Sequence, residues 1–261
     1  MSRAHVDVRT LRTDAGVGCE AIESLAEETP VALLYNGHPH AVMMATPSDL
    51  EDFAIGFSLS EGIVDVPADV RVVDIVHGAD GISLQMHVPQ RAFDALPGRD
   101  RSLVGRTGCG LCGSETLAQA IRPVPRVEGL PVAGDRLRDL FLALQARQPL
   151  NALTGAVHAA GVVDAYGQLH VREDVGRHNA IDKAIGAVLR RGARPRELLV
   201  TSRASYEVVH KAATVGIGLV AAISAPTALA VRLAQLAGLT LVGFARDERH
   251  TLYAGPGQDF L

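Results

Sequence analysis

Alternating apolar and polar residues predict two β-hairpins and one helix in the first ninety residues of the chain. Residues 31–46 form two apolar runs separated by an Asn-Gly dipeptide, which favours a tight hairpin turn. Residues 70–88 show the same alternation around a turn that contains two glycines. Between them, residues 48–62 begin with a capping box, Ser48 and Glu51, continue with apolar residues and close on a glycine. We therefore expect a small α+β unit here.

The regular pattern is lost after residue 90. Residues 90–113 are rich in glycine and arginine and end in Gly-Cys-Gly-Leu-Cys-Gly, after which Ser114 can cap a short helix. A run of prolines and glycines follows at residues 123–134. This run predicts a boundary between an N-terminal domain, residues 1–130, and a C-terminal domain, residues 131–261.

Strand and helix patterns alternate in the second half of the chain. Several of the strand patterns are short, continuous apolar runs, which are typical of a sheet covered on both faces. We predict an α/β fold in which a mainly parallel sheet lies between two layers of helices, a three-layer sandwich. The predicted helices are 136–147, 177–191, 205–213 and 226–237, and the predicted strands are 156–163, 168–173, 197–202, 218–224 and 240–245.

Composition excludes several classes of protein. Hydrophobic residues make up 48% of the 261 residues and charged residues 21%, which is ordinary globular usage and not that of a disordered or fibrous chain. A net charge of −4 argues against a protein that coats nucleic acid or an anionic membrane. The uncharged stretch 212–231 is long enough to span a bilayer, but its glycines and proline favour two buried elements joined by a turn.

The cysteine count indicates a compartment. The chain has three cysteines, and no apolar segment typical of a secretory signal follows its charged N-terminus. An odd count without such a signal favours a reducing compartment. We therefore expect a cytoplasmic protein.

Cys109 and Cys112 form a Cys-x-x-Cys pair for which four interpretations are open. A closed zinc site needs four ligands, and the chain has no second pair of this kind. A thioredoxin-like redox pair normally lies between a strand and a long helix, which the local pattern does not predict. Two small residues could also simply pack in a turn. In the fourth interpretation, one cysteine carries a sulfur atom and passes it on.

The residues around the pair favour the sulfur-carrying interpretation. Flanking glycines leave the backbone free, at an entropic cost that a purely structural turn need not bear. The helix predicted after Cys112 and the nearby Arg106 would both stabilise a thiolate, the reactive form of cysteine.

Charged residues cluster at the start of the helix predicted at 177–191. Arg177, His178 and Lys183 are candidates for a basic lining around an anionic ligand, although a solvated helix start would have the same composition. His178 and Asp182 are four residues apart and share a helix face.

Two further polar groups follow predicted strands and precede predicted helices. These are Ser202 with Arg203, and Ser224. Ligands gather at such positions in open α/β sheets, where helix N-terminal amides face phosphate groups. Ordinary capping explains the serines almost as well. His158, in an apolar strand, is more typical of a hydrogen-bonded core histidine than of a ligand-binding one.

Six motifs, in order along the chain, closely resemble the FdhD family. They are TGCGLCGSE at 107–115, TGAVHAA at 154–160, REDVGRHNAIDK at 172–183, TSRASYE at 201–207, SAPT at 224–227 and GFAR at 243–246. A lone Cys-x-x-Cys would be weak support, but the whole series is specific.

The resemblance implies a sulfurtransferase that formate dehydrogenase requires for activity. Such a protein accepts sulfur from a cysteine desulfurase as a cysteine persulfide. It passes the sulfur to the bis-molybdopterin guanine dinucleotide form of the molybdenum cofactor. The persulfide of the family maps onto Cys109, whereas the role of Cys112 stays open between shielding and resolving the persulfide. A homodimer is expected because family members often pair.

The resemblance also implies a cofactor-binding stretch at the end of the last predicted strand. It comprises Phe244, Ala245, Arg246, Asp247, Glu248 and Arg249. Arginine forks suit the phosphates of two guanine nucleotides, and a carboxylate suits the amino edge of guanine. We therefore expect Arg246 and Arg249 to bind phosphate, and Asp247 or Glu248 to bind the base.

The C-terminal fold of the family resembles that of cytidine deaminases, which raises a rival activity. Zinc-dependent deaminases use a His-x-Glu motif, followed later by Pro-Cys-x-x-Cys. Here Ala160 stands where the glutamate belongs after His158, and the cysteine pair precedes the histidine. A deaminase is therefore excluded on chemistry. The alternatives that stay open are a chaperone that only holds the molybdenum cofactor, and a disulfide reductase.

Overall fold

The computed structural model describes residues 4–96, 123–246 and 248–256. The described strands are β1 (His5–Asp14), β2 (Val17–Ala26), β3 (Thr29–Tyr35), β4 (His38–Ala45), β5 (Arg71–Gly78), β6 (Gly81–His87), β7 (His158–Asp164), β8 (Leu169–Asp174), β9 (Pro195–Val200), β10 (Leu219–Ala222), β11 (Thr240–Arg246) and β12 (Arg249–Ala254). The described helices are α1 (Leu50–Ser60), α2 (Gln90–Asp94), α3 (Gly134–Gln145), α4 (Pro149–Thr154), α5 (Arg177–Leu189), α6 (Tyr206–Thr214) and α7 (Ala228–Ala237), with a 3-10 turn at Pro67–Asp69. The helix expected after Ser114 lies outside these residues.

A four-stranded sheet forms the N-terminal unit. Its order is β4-β3-β6-β5, and both predicted hairpins are confirmed, since β3 pairs with β4 and β5 with β6 in antiparallel fashion. Parallel pairing of β3 with β6 joins the two hairpins into one sheet. Leu33 and Leu84 of the sheet share a buried core with Phe53 and Phe57 of α1. The predicted α+β unit is therefore confirmed.

The start of α1 differs from the prediction. Asp49 precedes the helix with a left-handed backbone, φ 52°, and its side chain makes no capping hydrogen bond. The chain turns at Asp49, so Ser48 is one residue too early to cap the helix. The capping box of Ser48 and Glu51 is therefore wrong, although the helix that it predicted exists.

A six-stranded mixed sheet forms the C-terminal unit, in the order β12-β11-β10-β9-β7-β8. Only the β9-β10 and β10-β11 pairs are parallel, whereas β7-β8, β7-β9 and β11-β12 are antiparallel. The expectation of a mainly parallel sheet was therefore wrong. The cause lies in two hairpins, at opposite edges of the sheet, which place antiparallel strands on either side of the parallel centre.

Helices cover both faces of this sheet. One buried cluster joins inward residues of β9 and β10 to α5, α6 and α7, and the other joins the opposite faces of the same strands to Leu137 and Leu144 of α3. Leu198 and Leu199, neighbours in β9, belong to different clusters, as strand alternation requires. The α/β class and its three-layer arrangement are confirmed.

The two units meet where α1 crosses α5. A methyl group on Gly56 would lie 1.7 Å from the carbonyl oxygen of Asp182, and one on Gly186 would lie 1.9 Å from that of Asp52. Only glycine allows the two backbones to approach this closely. Residues 127–130 pack against the C-terminal sheet, where Val127 donates to the carbonyl of Ala237. The domain boundary at residue 130 stays a prediction.

Five described strands and helices were not predicted, namely β1, β2, α2, α4 and β12. Helix α2 lies at the start of the stretch in which the regular pattern is lost. The β1-β2 ribbon lies where the sequence indicated only an N-terminal tail, β12 follows the last predicted strand, and α4 follows α3. All residues of β1, and all residues of β12 except Ala254, are exposed or half-buried, so a clear apolar stripe does not mark these strands.

The uncharged stretch 212–231 covers the end of α6, all of β10 and the start of α7. It is thus divided among buried elements, as its glycines and proline indicated. Among the helices in the described part of the chain, none is long and apolar enough to cross a bilayer.

Candidate functional site

The candidate site lies at the edge of the C-terminal sheet where β9, β10 and β11 end. Because β7 runs antiparallel to β9, its first residue lies at the same edge. A pocket of about 350 Å³ opens there. Its lining residues are His158, Arg177, Thr201, Ser202, Arg203, Ser205, Ile223, Ser224 and Arg246. Five residues predicted from the sequence therefore meet at one place: Arg177, Ser202, Arg203, Ser224 and Arg246.

The pocket is electrostatically suited to an anion. Within the described part of the chain, the charged residues that line it are arginines, contributed by the start of α5, the β9-α6 loop and the end of β11. Ser205 precedes α6, so the positive end of that helix also lies at the pocket. The buried hydroxyl of Ser205 has no hydrogen-bond partner among the described residues. A phosphate or carboxylate oxygen would satisfy it.

A second cavity, of about 710 Å³, adjoins the first and shares His158, Thr201, Ile223 and Arg246 with it. Apolar side chains line part of it, and amide side chains of Gln145, Gln148 and Asn151 line another part. The remaining lining residues are Arg138, Phe141, Leu142, Leu144, Val157, Ala245 and Glu248. The larger cavity therefore has apolar and amide walls, and the smaller pocket beside it is lined by cationic arginines.

The wall that α3 and α4 contribute to the larger cavity was not predicted from the sequence. The amphipathic pattern of α3 predicted a helix with a buried face, and that face is shared between the core and the cavity. The feature of the sequence that could have indicated this wall is the spacing of the amide residues Gln145, Gln148 and Asn151, three residues apart.

Local backbone geometry positions Arg246. Phe244 has a left-handed backbone, φ 51°, at an irregularity in the pairing of β11 with β12. Such a conformation is strained for a residue with a side chain. Beside it, a methyl group on Gly243 would lie 2.8 Å from Pro226 Cδ. The bend lets Arg246 Nε donate to the carbonyl of Ile223 at 2.7 Å, which holds the guanidinium at the pocket.

His158 stands where the two cavities join. Thr201 Oγ1 accepts from the backbone N–H of Ala159 at 2.9 Å, which fixes the start of β7 beside the end of β9. Burial lowers the pKa of His158, and the positive charges of Arg177 and His178 lower it further. The imidazole is therefore neutral at pH 7 and can both donate and accept a hydrogen bond.

Replacement of Arg177 by glutamine is expected to raise the pKa of His158. The arginine disfavours the protonated imidazole, so its removal lets protonation occur at higher pH. An NMR titration of the His158 ring in both proteins measures this directly. The same replacement at the exposed Arg232 is the control, and an unchanged His158 titration in Arg177→Gln would contradict the electrostatic account.

Two predicted site residues are engaged elsewhere. Lys183 is fully buried, with Nζ 2.6 Å from Asp174 Oδ2 and donating to the carbonyl of Thr46 at 2.8 Å. Its prediction as pocket lining is therefore wrong, because it joins the two units in the core. His178 Nε2 lies 2.7 Å from Glu207 Oε2, so this imidazole pairs with a carboxylate at the start of α6.

The stretch 244–249 is divided by the structure. Arg246 lines both cavities, and Ala245 and Glu248 line the larger one. Glu248 also lies 3.7 Å from Arg138 of α3. Phe244 and Arg249 line neither of these two cavities, so phosphate binding by Arg249 receives no support from the geometry. Asp247 lies outside the described residues.

Cys109 and Cys112 also lie outside the described residues, and their predicted roles stay predictions. Cys19 is exposed in β2 with a free thiol. No group of three or more potential ligands for a metal ion occurs among residues 4–96, 123–246 and 248–256.

Fold and site together define a mixed α/β protein with a cationic pocket at one edge of its larger sheet. The model of the FdhD/NarQ family matches residues 26–258. The chain belongs to this family.

Similar proteins cover nearly the whole chain. The sulfur carrier protein FdhD of Xanthomonas campestris pv. campestris (strain B100) is 54% identical over 254 residues, which are 95% of this chain and 90% of that protein. The sulfur carrier protein FdhD of Bordetella petrii is 49% identical over 96% of this chain and 92% of that protein. The crystal structure of a Desulfotalea psychrophila protein, described as a formate dehydrogenase accessory protein, superposes with a TM-score of 0.76 at 24% identity. It covers 97% of this chain and 98% of its own and supports the fold.

Proposed function

We propose that this protein is a sulfur carrier that takes up sulfur as a persulfide on Cys109 and delivers it to the molybdenum cofactor for formate dehydrogenase. Relatives that are 54% and 49% identical in sequence to this chain are named sulfur carrier proteins, which supports the sulfur-carrying role. The structural neighbour is described as a formate dehydrogenase accessory protein, which supports formate dehydrogenase as the enzyme that receives the cofactor.

One observation carries the cofactor part of the proposal. Three arginines and the buried hydroxyl of Ser205, for which residues 4–96, 123–246 and 248–256 offer no hydrogen-bond partner, converge on one pocket beside a larger cavity with apolar and amide walls. Bis-molybdopterin guanine dinucleotide has pyrophosphate groups, which suit the arginines of the smaller pocket. It also has flat heterocyclic rings, which suit the apolar and amide walls of the larger cavity. Arginine forks match phosphate oxygens in geometry and in charge.

Sulfur uptake is an exchange between a thiolate and a persulfide. The Cys109 thiolate attacks the outer sulfur of a persulfide on a cysteine desulfurase, and the donor cysteine leaves as a thiolate. One sulfur–sulfur bond forms as another breaks, so no external oxidant is needed. On delivery, the sulfur–sulfur bond breaks, the Cys109 sulfur keeps the bonding electron pair and is again a thiolate, and the outer sulfur bonds to the molybdenum of the cargo. Because this sulfur leaves as a neutral atom, a reduced molybdenum(IV) centre of the cargo would supply the two electrons and become molybdenum(VI).

The described residues divide these tasks. Arg177, Arg203 and Arg246 bind the anionic part of the cargo, while neutral His158 can hydrogen-bond at the junction without adding charge. The sulfur-bearing cysteine belongs to a separate stretch of chain, so binding of cargo and uptake of sulfur are separable functions. A cofactor-holding chaperone would share the pocket but would not need Cys109.

Charge reversal in the pocket tests the cofactor part of the proposal. We expect Arg203→Glu to weaken binding of guanosine diphosphate by about 100-fold, since a charge-assisted hydrogen bond is lost and a repulsion is added. Calorimetry or equilibrium dialysis measures the affinity. The matched control is Arg232→Glu, because Arg232 is an exposed arginine of α7 that does not line either cavity. Equal affinity in both variants would contradict a phosphate site at this pocket.

A further inference from the structure

Two loops meet at the edge of the C-terminal sheet that lies opposite the arginine-lined pocket. Strand β7 ends there at Asp164 and β9 begins there at Pro195, and these two residues are paired. The backbone N–H of Ala165 donates to the carbonyl of Arg194 at 2.9 Å, which joins the β7-β8 turn to the α5-β9 loop. Because β9 is six residues long, this edge lies about 20 Å from the pocket at the other end of the strand.

The β7-β8 turn presents Tyr166 to solvent, and this residue is 87% exposed. The buried carboxylate of Asp164 holds the turn in place, because its Oδ1 accepts from the backbone N–H groups of Tyr166 and Gln168 at 2.9 Å each. Its Oδ2 lies 2.9 Å from His170 Nε2, so this carboxylate is engaged within the fold. Tyr166 is therefore an exposed aromatic side chain on a well-fixed backbone.

The α5-β9 loop presents two exposed arginines, Arg191 and Arg194, beside this turn. Gly192 lies between them with a left-handed backbone, φ 70°, which turns the chain sharply after α5. Since Arg194 bonds to the turn through its carbonyl, its Cα lies within about 10 Å of that of Tyr166. We call Tyr166, Arg191 and Arg194 the loop patch.

The positive charges of the loop patch have no neighbouring carboxylate to neutralise them. Arg190, the preceding residue, pairs with two carboxylates at the start of α1. By contrast, neither Arg191 nor Arg194 forms an ion pair with any residue of the described part of the chain. Arg191 Nη1 donates to the carbonyl of Ala187 at 2.7 Å, which leaves the other N–H groups of this guanidinium for a partner.

We infer that the loop patch is a docking surface for an acidic segment of a partner protein. Arginine forks bind carboxylate groups through two parallel hydrogen bonds, and arginine and tyrosine are enriched at the centres of protein interfaces. A nucleic acid fits this patch less well, because binding along a phosphate backbone needs a longer series of cations than two arginines. The net charge of −4 also disfavours approach to nucleic acid or to an anionic membrane.

The loop patch and the arginine-lined pocket are separate sites. No residue of the loop patch lines either of the two cavities. A partner docked at the patch therefore leaves the pocket open at the opposite edge of the sheet. The inference is independent of the proposed function.

Fluorescence polarisation with the full chain and a labelled eight-residue peptide of alternating glutamate and leucine tests this inference. We expect Arg194→Glu to weaken peptide binding by at least about tenfold, because an attraction is replaced by a repulsion. Arg232→Glu is the matched control, since Arg232 is also exposed but belongs to α7. Arg203→Glu, in the pocket, should likewise leave the affinity nearly unchanged. No binding by the unaltered protein at about 50 mM salt, or equal affinity of the Arg194 and Arg232 variants, would overturn the inference.

Milder variants keep the test decisive if a charge reversal misfolds. Arg194→Gln removes the charge without adding a repulsion and should weaken peptide binding by about threefold. Tyr166→Ala should weaken it by about fivefold, whereas Tyr166→Phe should retain it, because the ring supplies the contact. Unchanged affinity in both Arg194→Gln and Tyr166→Ala would contradict the inference.

Two other ligands test the chemistry of the partner. The same peptide with glutamine in place of glutamate should bind far more weakly, because it offers no carboxylate to the arginines. Single-stranded DNA and vesicles of anionic lipid should bind more weakly than the acidic peptide. Tighter binding of either one, if Arg194→Glu abolishes it, would show that the patch serves a different kind of partner and would overturn the inference.

Discussion

Replacement of Cys109 by alanine is expected, under the proposed function, to abolish the activation of formate dehydrogenase in cells. A methyl group cannot form a persulfide, so the sulfur that the client needs has no carrier. Activity should fall to the level of cells that lack the gene, while the pocket arginines still bind cofactor. The measurement is formate dehydrogenase activity in extracts of complemented cells, together with the amount of cofactor bound to the purified variant.

Cys19→Ala is the matched control for this experiment, because Cys19 is an exposed free cysteine in β2, far along the chain from Cys109. It should leave activity unchanged. If Cys109→Ala supported full activity, the carrier mechanism would be wrong, and a chaperone that only holds the cofactor would replace it. Insulin reduction by the unaltered protein would instead favour a disulfide reductase.

Replacement of Lys211 by methionine is expected to lower the free energy of unfolding by about 3–5 kcal/mol, the range for breaking a buried ion pair. Lys211 Nζ lies 2.8 and 2.9 Å from the two carboxylate oxygens of Asp182 and 3.0 Å from Glu61. Burial alone would lower the pKa of Lys211, but the charges of Asp182 and Glu61 raise it above its ordinary value. Without the lysine, the side-chain hydrogen bond that the described residues leave to the buried carboxylate of Asp182 is the one from the hydroxyl of Ser60, at 2.6 Å.

Urea unfolding followed by circular dichroism measures this loss. Arg91→Met is the control, because Arg91 pairs with Asp69 at 2.9 Å but is 76% exposed, and such pairs contribute less than about 1 kcal/mol. The double variant Lys211→Met with Asp182→Leu should recover part of the loss of unfolding free energy, since it removes the buried carboxylate of Asp182 together with the lysine charge. A loss for Lys211→Met as small as that for Arg91→Met would show that the network does not hold α1 against α5 and α6.

Local sequence patterns predicted those parts of the fold in which neighbouring segments of the chain pair with each other. The Asn-Gly turn before β4 and the alternation in β5 and β6 are sequence-local signals, and both hairpins exist. The mixed order of the large sheet depends on which strands become neighbours, which local periodicity does not report. The β1-β2 ribbon escaped prediction because much of it is exposed, so no buried stripe distinguishes it from a polar tail.

Some residues of the candidate site were likewise predictable from local patterns, and others were not. Ser202, Arg203 and Ser224 were predictable because each follows a strand and precedes a helix, a position that the fold class places at the ligand-binding edge. Lys183 could not be placed correctly, because its partner Thr46 comes from the other unit, 137 residues away along the chain. The same limit applies to Gln148 and Asn151, which reach the larger cavity only through the packing of α3 and α4 on the sheet.

The mass of the purified protein tests the central claim most directly. Incubation with a cysteine desulfurase and cysteine should add about 32 Da to the peptide that contains Cys109, the mass of one sulfur atom, and a reducing agent should remove it. Subsequent addition of molybdenum cofactor should discharge the adduct from the unaltered protein but not from Arg203→Glu. If Cys109 stays unmodified under conditions in which the same preparation activates formate dehydrogenase, sulfur does not travel through this residue.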